Sequence, residues 1–212
     1  MKILGVRLKI STLFIGLVAL EIISGAILPL VSMMLSLFVH EISHLVVSRY
    51  RGCLFSEIRL EPYGATLIGD MPCRDIDRVI VSISGPIASG IFAIVSYLSY
   101  LLVRADILYH FFVSNLGLMV YNVLPCYPLD GSGVILGLSK SKYKTARVVR
   151  MLGYIVGGGL IVAFIISLIF TTPMLSYLIG GVFLIVNARS CVEVEMSRIA
   201  RLQVDFLSQK RG

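Results

Sequence analysis

The chain alternates between long apolar runs and short polar breaks, and the runs set the expected fold. Six can be drawn, over about 10–24, 29–49, 79–103, 109–125, 151–170 and 173–188. Each approaches the roughly 20 apolar residues that carry a helix across a bilayer, and the shorter ones have soft boundaries. Within hydrocarbon a backbone segment must satisfy its own hydrogen bonds, which a helix does. The pattern predicts an all-α membrane protein, a bundle of six transmembrane helices. One break has a different texture. Residues 54–68 place Phe55, Ile58, Leu60, Ala65, Leu67 and Ile68 in two short stretches around Pro62 and Gly64, which predicts a small β-hairpin-like element after the second helix.

Composition agrees with the pattern. Of 212 residues, 57% are hydrophobic and 15% charged, whereas soluble domains carry about 25% charged residues. The basic residues then orient the spans. All of the 19 Lys and Arg except Arg104 fall before the first run or after the second, fourth and sixth. Cytoplasmic flanks collect such residues, so both termini are expected in the cytoplasm of a multi-pass protein. The net charge of +7 is a topology signal and an attraction to anionic lipid headgroups. It is not a nucleic-acid footprint.

The basic, then apolar, opening mimics a secretory signal but lacks a small-residue cleavage site before a polar region, so it is expected to stay as the first span. Residues 1–188 are expected to form the membrane core. Residues 189–212 mix charged and apolar positions at helical spacing and would make a short cytoplasmic tail of the interfacial amphipathic kind. Cys53, Cys73, Cys126 and Cys191 show no Cys-x-x-Cys spacing and fall on or near cytoplasmic flanks. They are expected to be reduced thiols. Gly153, Gly157, Gly158, Gly159, Gly180 and Gly181 suit close helix packing, and Gly85, Pro86 and Ser89 would let the third helix approach the second.

Chemistry enters in the second run, where His40, Glu41 and His44 spell H-E-I-S-H. Residues four apart on a helix are separated by about 400° of rotation, so both imidazoles project from one face and can grip one zinc ion. Glu41 lies roughly 100° round from His40, where it suits a water molecule rather than the metal. Ionisable groups in a lipid-spanning segment are costly and read as functional. The motif points to a zinc-dependent hydrolase built into the bilayer.

A catalytic zinc needs a third protein ligand and an open position. His110 begins the fourth run from the outer side, whereas His40 and His44 lie about 17 to 23 Å along the second helix. Cys126 is a rival, although thiolates favour closed structural sites. The preferred candidate is Asp130, in N-V-L-P-C-Y-P-L-D-G at 122–131. Pro125 and Pro128 should unwind the chain there, about 24 Å from the outer start of the fourth helix, at a depth matching the histidines. The alternative for Asp130 is a helix-ending turn, since Pro-x-Asp-Gly is good turn chemistry.

Three motifs in order, H-E-I-S-H at 40–44, S-G-P-I-A-S at 84–89 and N-x-x-P-x-x-P-L-D-G at 122–131, resemble the site-2 protease family of intramembrane zinc metalloproteases. The resemblance covers about residues 1–188. It implies that His40, His44 and Asp130 ligate one zinc per chain, that Glu41 is the catalytic base, and that Asn122 orients the substrate or supports the oxyanion. The layout, the opening ten residues and S-E-I-R-L-E-P-Y-G-A-T-L-I at 56–68 are similar to the sporulation branch (stage IV sporulation protein FB type). That branch implies a bacterial cell membrane, the membrane-tethered precursor of a sporulation sigma factor as substrate, and inhibitory membrane partner proteins. Gly131-Ser132-Gly133 replaces the more usual continuation after Asp130.

The expected activity is hydrolysis of a peptide bond in a membrane-associated substrate near the cytoplasmic side. The hairpin's free edge offers a place for the substrate to lie as an added strand. Two other classes stay open: a divalent-metal transporter and a non-catalytic membrane scaffold. Homo-oligomers also stay open, and no nucleic-acid partner is expected.

Overall fold

The computed structural model describes residues 2–3, 6–53, 55–61, 64–69, 73–170 and 175–209. Four strands form over Lys2–Ile3 (β1), Val6–Ile10 (β2), Phe55–Glu61 (β3) and Gly64–Gly69 (β4). Among the same described residues, seven helices form over Thr12–Ile23 (α1), Ile27–Tyr50 (α2), Asp75–Val103 (α3), Asp106–Val123 (α4), Asp130–Leu138 (α5), Lys142–Phe170 (α6) and Leu175–Gln209 (α7). The chain divides into two units, residues 1–71 with 80–123 and residues 72–79 with 124–212.

The expectation of a six-helix bundle is corrected to seven helices among the described residues. Among the described residues, four stretches are long and apolar enough to cross a membrane: Ile27–Tyr50, Asp75–Val103, Lys142–Phe170 and Leu175–Val204. They make the chain an integral membrane protein. The first apolar run yields a helix of only 12 residues, about 18 Å long against a hydrocarbon core of about 30 Å. Its beginning is taken by β2, which ends at Ile10. The fourth run yields 18 residues interrupted by polar Asn115 and Asn122. Apolar runs mark where most of the helices form.

In the first unit the strands make one sheet in the order β1-β2-β3-β4. β3 pairs antiparallel with β4, from Glu61↔Gly64 to Phe55↔Gly69, with an irregularity between Phe55 and Glu57. The sheet is larger than a lone hairpin. β2 runs parallel to β3 and β1 folds back antiparallel on β2. Pro62 and Tyr63, at the expected turn, lie outside the described residues.

The helices invert the usual burial rule. On α2 the buried positions are mostly polar, Ser32, Ser36, His40, His44 and Ser48, each four residues after the last. Leu35, Phe38, Ile42 and Val46 of the same helix are exposed. Apolar side chains gain nothing by leaving lipid, whereas polar ones there need partners, so the polar stripe turns inward. Asn115 of α4 meets that stripe, its amide donating to Ser36 Oγ at 2.8 Å.

In the second unit α6 and α7 pack closely through small residues. A Cβ at Gly157 would lie 2.8 Å from the Gly181 carbonyl oxygen, and one at Gly153 would lie 2.9 Å from Ala188 Cβ. Gly158 and Gly159 have open space around them. Leu136, Ala146, Val149 and Cys191 form a buried cluster joined by Tyr127 and Val192. Helix α7 runs through position 189 without a break, and its residue Glu195 is buried.

Charges gather beside that core. Asp75 pairs with Lys142 and with Arg198, both at 2.8 Å, and Glu195 pairs with Arg78 at 2.6 Å and Arg198 at 3.2 Å. Arg198 also donates to the Cys73 carbonyl. Residues that the sequence assigns to lipid-facing flanks are here paired with carboxylates.

The expectation of four reduced cysteines is also corrected. Cys53 and Cys73 are disulfide-bonded, whereas Cys126 and Cys191 are free.

Candidate metal centre

The two imidazoles of H-E-I-S-H meet as helical spacing dictates. His40 and His44 are buried on α2, with ring centroids 4.9 Å apart and planes at 80°. Their Nε2 atoms lie 3.2 Å from each other. Each Nδ1 is engaged from α3. His44 Nδ1 is 2.7 Å from the Val81 carbonyl oxygen, and Ser84 Oγ stands 3.3 Å away. His40 Nδ1 is 2.9 Å from Ser89 Oγ.

Those contacts fix the chemistry of His44. A carbonyl only accepts, so His44 Nδ1 carries the proton and donates it to Val81. In the neutral ring this leaves Nε2 with a bare lone pair, the form that binds a metal. That lone pair faces a second ring nitrogen, an arrangement that a shared cation satisfies.

Space at the junction is kept by one residue. Gly85 of α3 is buried, and a Cβ there would collide with His44 Nε2 and lie 2.7 Å from His40 Nε2. No other amino acid leaves room for the two nitrogens to converge. Converging Nε2 atoms, engaged Nδ1 atoms and a glycine floor together fit a metal of the zinc type.

Glu41, next on α2, is partly buried. Asn122 is buried near the end of α4, its amide nitrogen donating to the Leu118 carbonyl at 3.0 Å. That bond lies within its own helix. His110 lies on α4 five residues before Asn115, its ring 6.3 Å from that of Tyr109.

Asp130 belongs to the second unit. The expected unwinding occurs over 124–129, with a cis bond between Tyr127 and Pro128. Asp130 then opens α5, a helix that the sequence reading did not anticipate. A carboxylate in a first turn is favoured by the exposed N–H groups there. The far end of α5 is tied down by Lys142, whose Nζ donates to the Leu136 and Gly137 carbonyls at 2.7 and 3.1 Å. A Cβ at Gly137 would lie 2.8 Å from the Asp75 carbonyl oxygen, so α5 sits tightly on the start of α3. Cys126, the rival ligand, is fully buried, and that burial pushes its thiol pKa up. A protonated thiol is a poor ligand.

Sequence reasoning found the histidine pair but not the partners of its outer nitrogens. Ser89 and Gly85 were legible only as small residues that allow close packing. The serine in S-G-P-I-A-S, lying on a helix beside H-E-x-x-H, was the available signal.

No family model matches the chain. In sequence it is similar to a zinc metalloprotease of Methanocaldococcus jannaschii, 25% identical over 167 residues, which are 72% of this chain and 49% of that protein. The chain thus spans about half the length of the curated relative it matches. In structure it is similar to the site-2 protease from Methanocaldococcus jannaschii, at a TM-score of 0.73 and 21% identity over 91% of this chain and 93% of that one, so the two share a fold.

Proposed function

We propose that the protein is a zinc-dependent endopeptidase that works within the membrane. The observation that carries this reading is the convergence of two Nε2 atoms 3.2 Å apart over a glycine floor. Glu41 beside them supplies the base that H-E-x-x-H hydrolases use. His40, His44 and Asp130 offer two imidazole nitrogens and one carboxylate oxygen, a donor set that catalytic zinc sites use with a further position open. Similarity to a zinc metalloprotease supports the same assignment.

When bound, zinc supplies the Lewis acidity that acidifies water and polarises a carbonyl. Glu41 takes the proton of the attacking water and returns it to the leaving amine as the C–N bond breaks. Asn122 orients the substrate backbone. The β4 edge of the sheet offers unpaired backbone groups to a substrate segment, which must be extended for its carbonyls to be exposed.

The substrate class is a membrane-associated protein cut near the cytoplasmic side. Arg78, Lys142 and Arg198 come from three separate basic flanks and meet around Asp75 and Glu195, which supports placing those three flanks on one cytoplasmic face. Resemblance to the sporulation branch makes a membrane-tethered sigma-factor precursor the first substrate to try and an inhibitory membrane protein the first regulator.

Glu41→Gln tests the assignment. The purified variant is expected to keep its zinc while cleavage of a membrane-tethered substrate falls by a factor of about 10² or more. Cleavage at the parental rate would contradict it.

A further inference from the structure

Ser89 stands in an unusual position for a helical serine. It is fully buried on α3, and its hydroxyl lies 2.9 Å from His40 Nδ1. Buried serines elsewhere in the chain, Ser48, Ser96 and Ser132, bond instead to carbonyls of their own helix turn. The two histidines are therefore supported unequally. His44 leans on a backbone carbonyl that no substitution removes and that admits a single tautomer. His40 Nδ1 lies against a side-chain hydroxyl, which can either donate or accept.

We propose that Ser89 is a positioning residue for the metal centre: it holds the His40 ring in the plane that aims Nε2 at His44 Nε2, and it accepts a hydrogen bond from Nδ1–H when Nε2 becomes a ligand. The proposal rests on the zinc reading above. A hydroxyl suits this place because it can serve His40 as either tautomer, donating to Nδ1 when Nε2 carries the proton and accepting from Nδ1 when Nε2 is bare. Alanine would remove the hydroxyl from Nδ1 and with it that restraint on the ring about χ2. Outer partners of ligating histidines contribute about 10–100-fold to metal affinity.

The roles of the two α3 serines differ. Ser84 Oγ donates to the Val81 carbonyl at 2.7 Å, and that carbonyl already receives His44 Nδ1–H. Removal of Ser84 leaves the His44 hydrogen bond in place. Loss of either hydroxyl changes packing little, so affinity rather than folding distinguishes them.

The test is competition for zinc between a chelator and the purified full-length protein in detergent, at one pH, for the parent, Ser89→Ala, Ser89→Thr, Ser84→Ala and His40→Ala. Thermal unfolding of the metal-free forms is recorded beside it. Ser89→Ala is expected to weaken zinc binding by about 10–100-fold while the metal-free form stays folded and melts in one cooperative transition. Ser89→Thr, which keeps the hydroxyl, is expected to restore binding, and Ser84→Ala to stay within about threefold of the parent. Parental affinity in Ser89→Ala, with zinc lost in His40→Ala, overturns the role of Ser89 and leaves the zinc reading intact. Equal weakening by both serine substitutions also overturns it. A parent that binds no zinc, or a His40→Ala variant that binds as the parent does, removes the zinc reading itself.

Discussion

At the scale of single residues, the centre depends on small groups as much as on its ligands. Gly85 is the sharpest case, since any Cβ there occupies the space in which two imidazole nitrogens meet. Gly85→Ala is expected to push the rings apart at an overpacking cost of about 1–3 kcal/mol, read as a tenfold or greater loss of zinc affinity. Gly117, a helical glycine with open space around it, is the control: Gly117→Ala is expected to leave affinity unchanged and to stabilise α4 slightly. Chelator competition on the two variants measures both. The histidine pair was legible in the sequence because four-residue spacing is a property of any helix. The glycine floor was not, because it depends on which residue of a second helix passes over the first.

Among the elements, the start of α3 is the junction on which the second unit depends. Asp75, Lys142 and Arg198 join the beginnings of α3 and α6 to α7, and Lys142 also holds the last carbonyls of α5, the helix that Asp130 opens. The two acids differ in surroundings. Glu195 is buried and its two arginines are largely so, whereas the Asp75 side chain is 44% exposed. Removal of a buried partner strands the opposite charges, so Glu195→Ala is expected to destabilise by about 3 kcal/mol. Asp75→Asn, in a partly solvated place, is expected to cost about 1 kcal/mol or less. Denaturant unfolding in detergent, followed by helical circular dichroism, checks the order of the two.

Helix α5 itself was hidden by composition. Gly131, Gly133 and Gly137 have weak helix propensity, and Pro125 and Pro128 signalled only where α4 ends. What sustains α5 is packing: Gly131, Gly133, Leu136 and Gly137 are all buried. That contribution comes from residues distant in sequence and does not show in a local pattern. The sheet was half visible for a similar reason. Alternation marked β3 and β4, but the opening strands read as the approach to an apolar run.

For the molecule as a whole, apolar runs located most helices, whereas the short glycine-rich α5 and the opening strands left no such mark. Zinc binding should also register as stability of the entire fold. A ligand held only by the folded chain stabilises it by about 4 kcal/mol at a thousandfold excess over its dissociation constant. Melting of the parent in detergent is therefore expected to shift down on adding a strong chelator and to recover with zinc. His44→Ala is expected to show no such shift, and an equal shift in that variant would place the metal elsewhere.

The most direct measurement is the zinc content of the purified protein beside that of His40→Ala, His44→Ala and Asp130→Ala, each dialysed against the same trace of zinc. The parent is expected to hold one zinc per chain and each variant far less. A parent without zinc, or an Asp130→Ala variant that retains a full equivalent at parental affinity, would contradict the account.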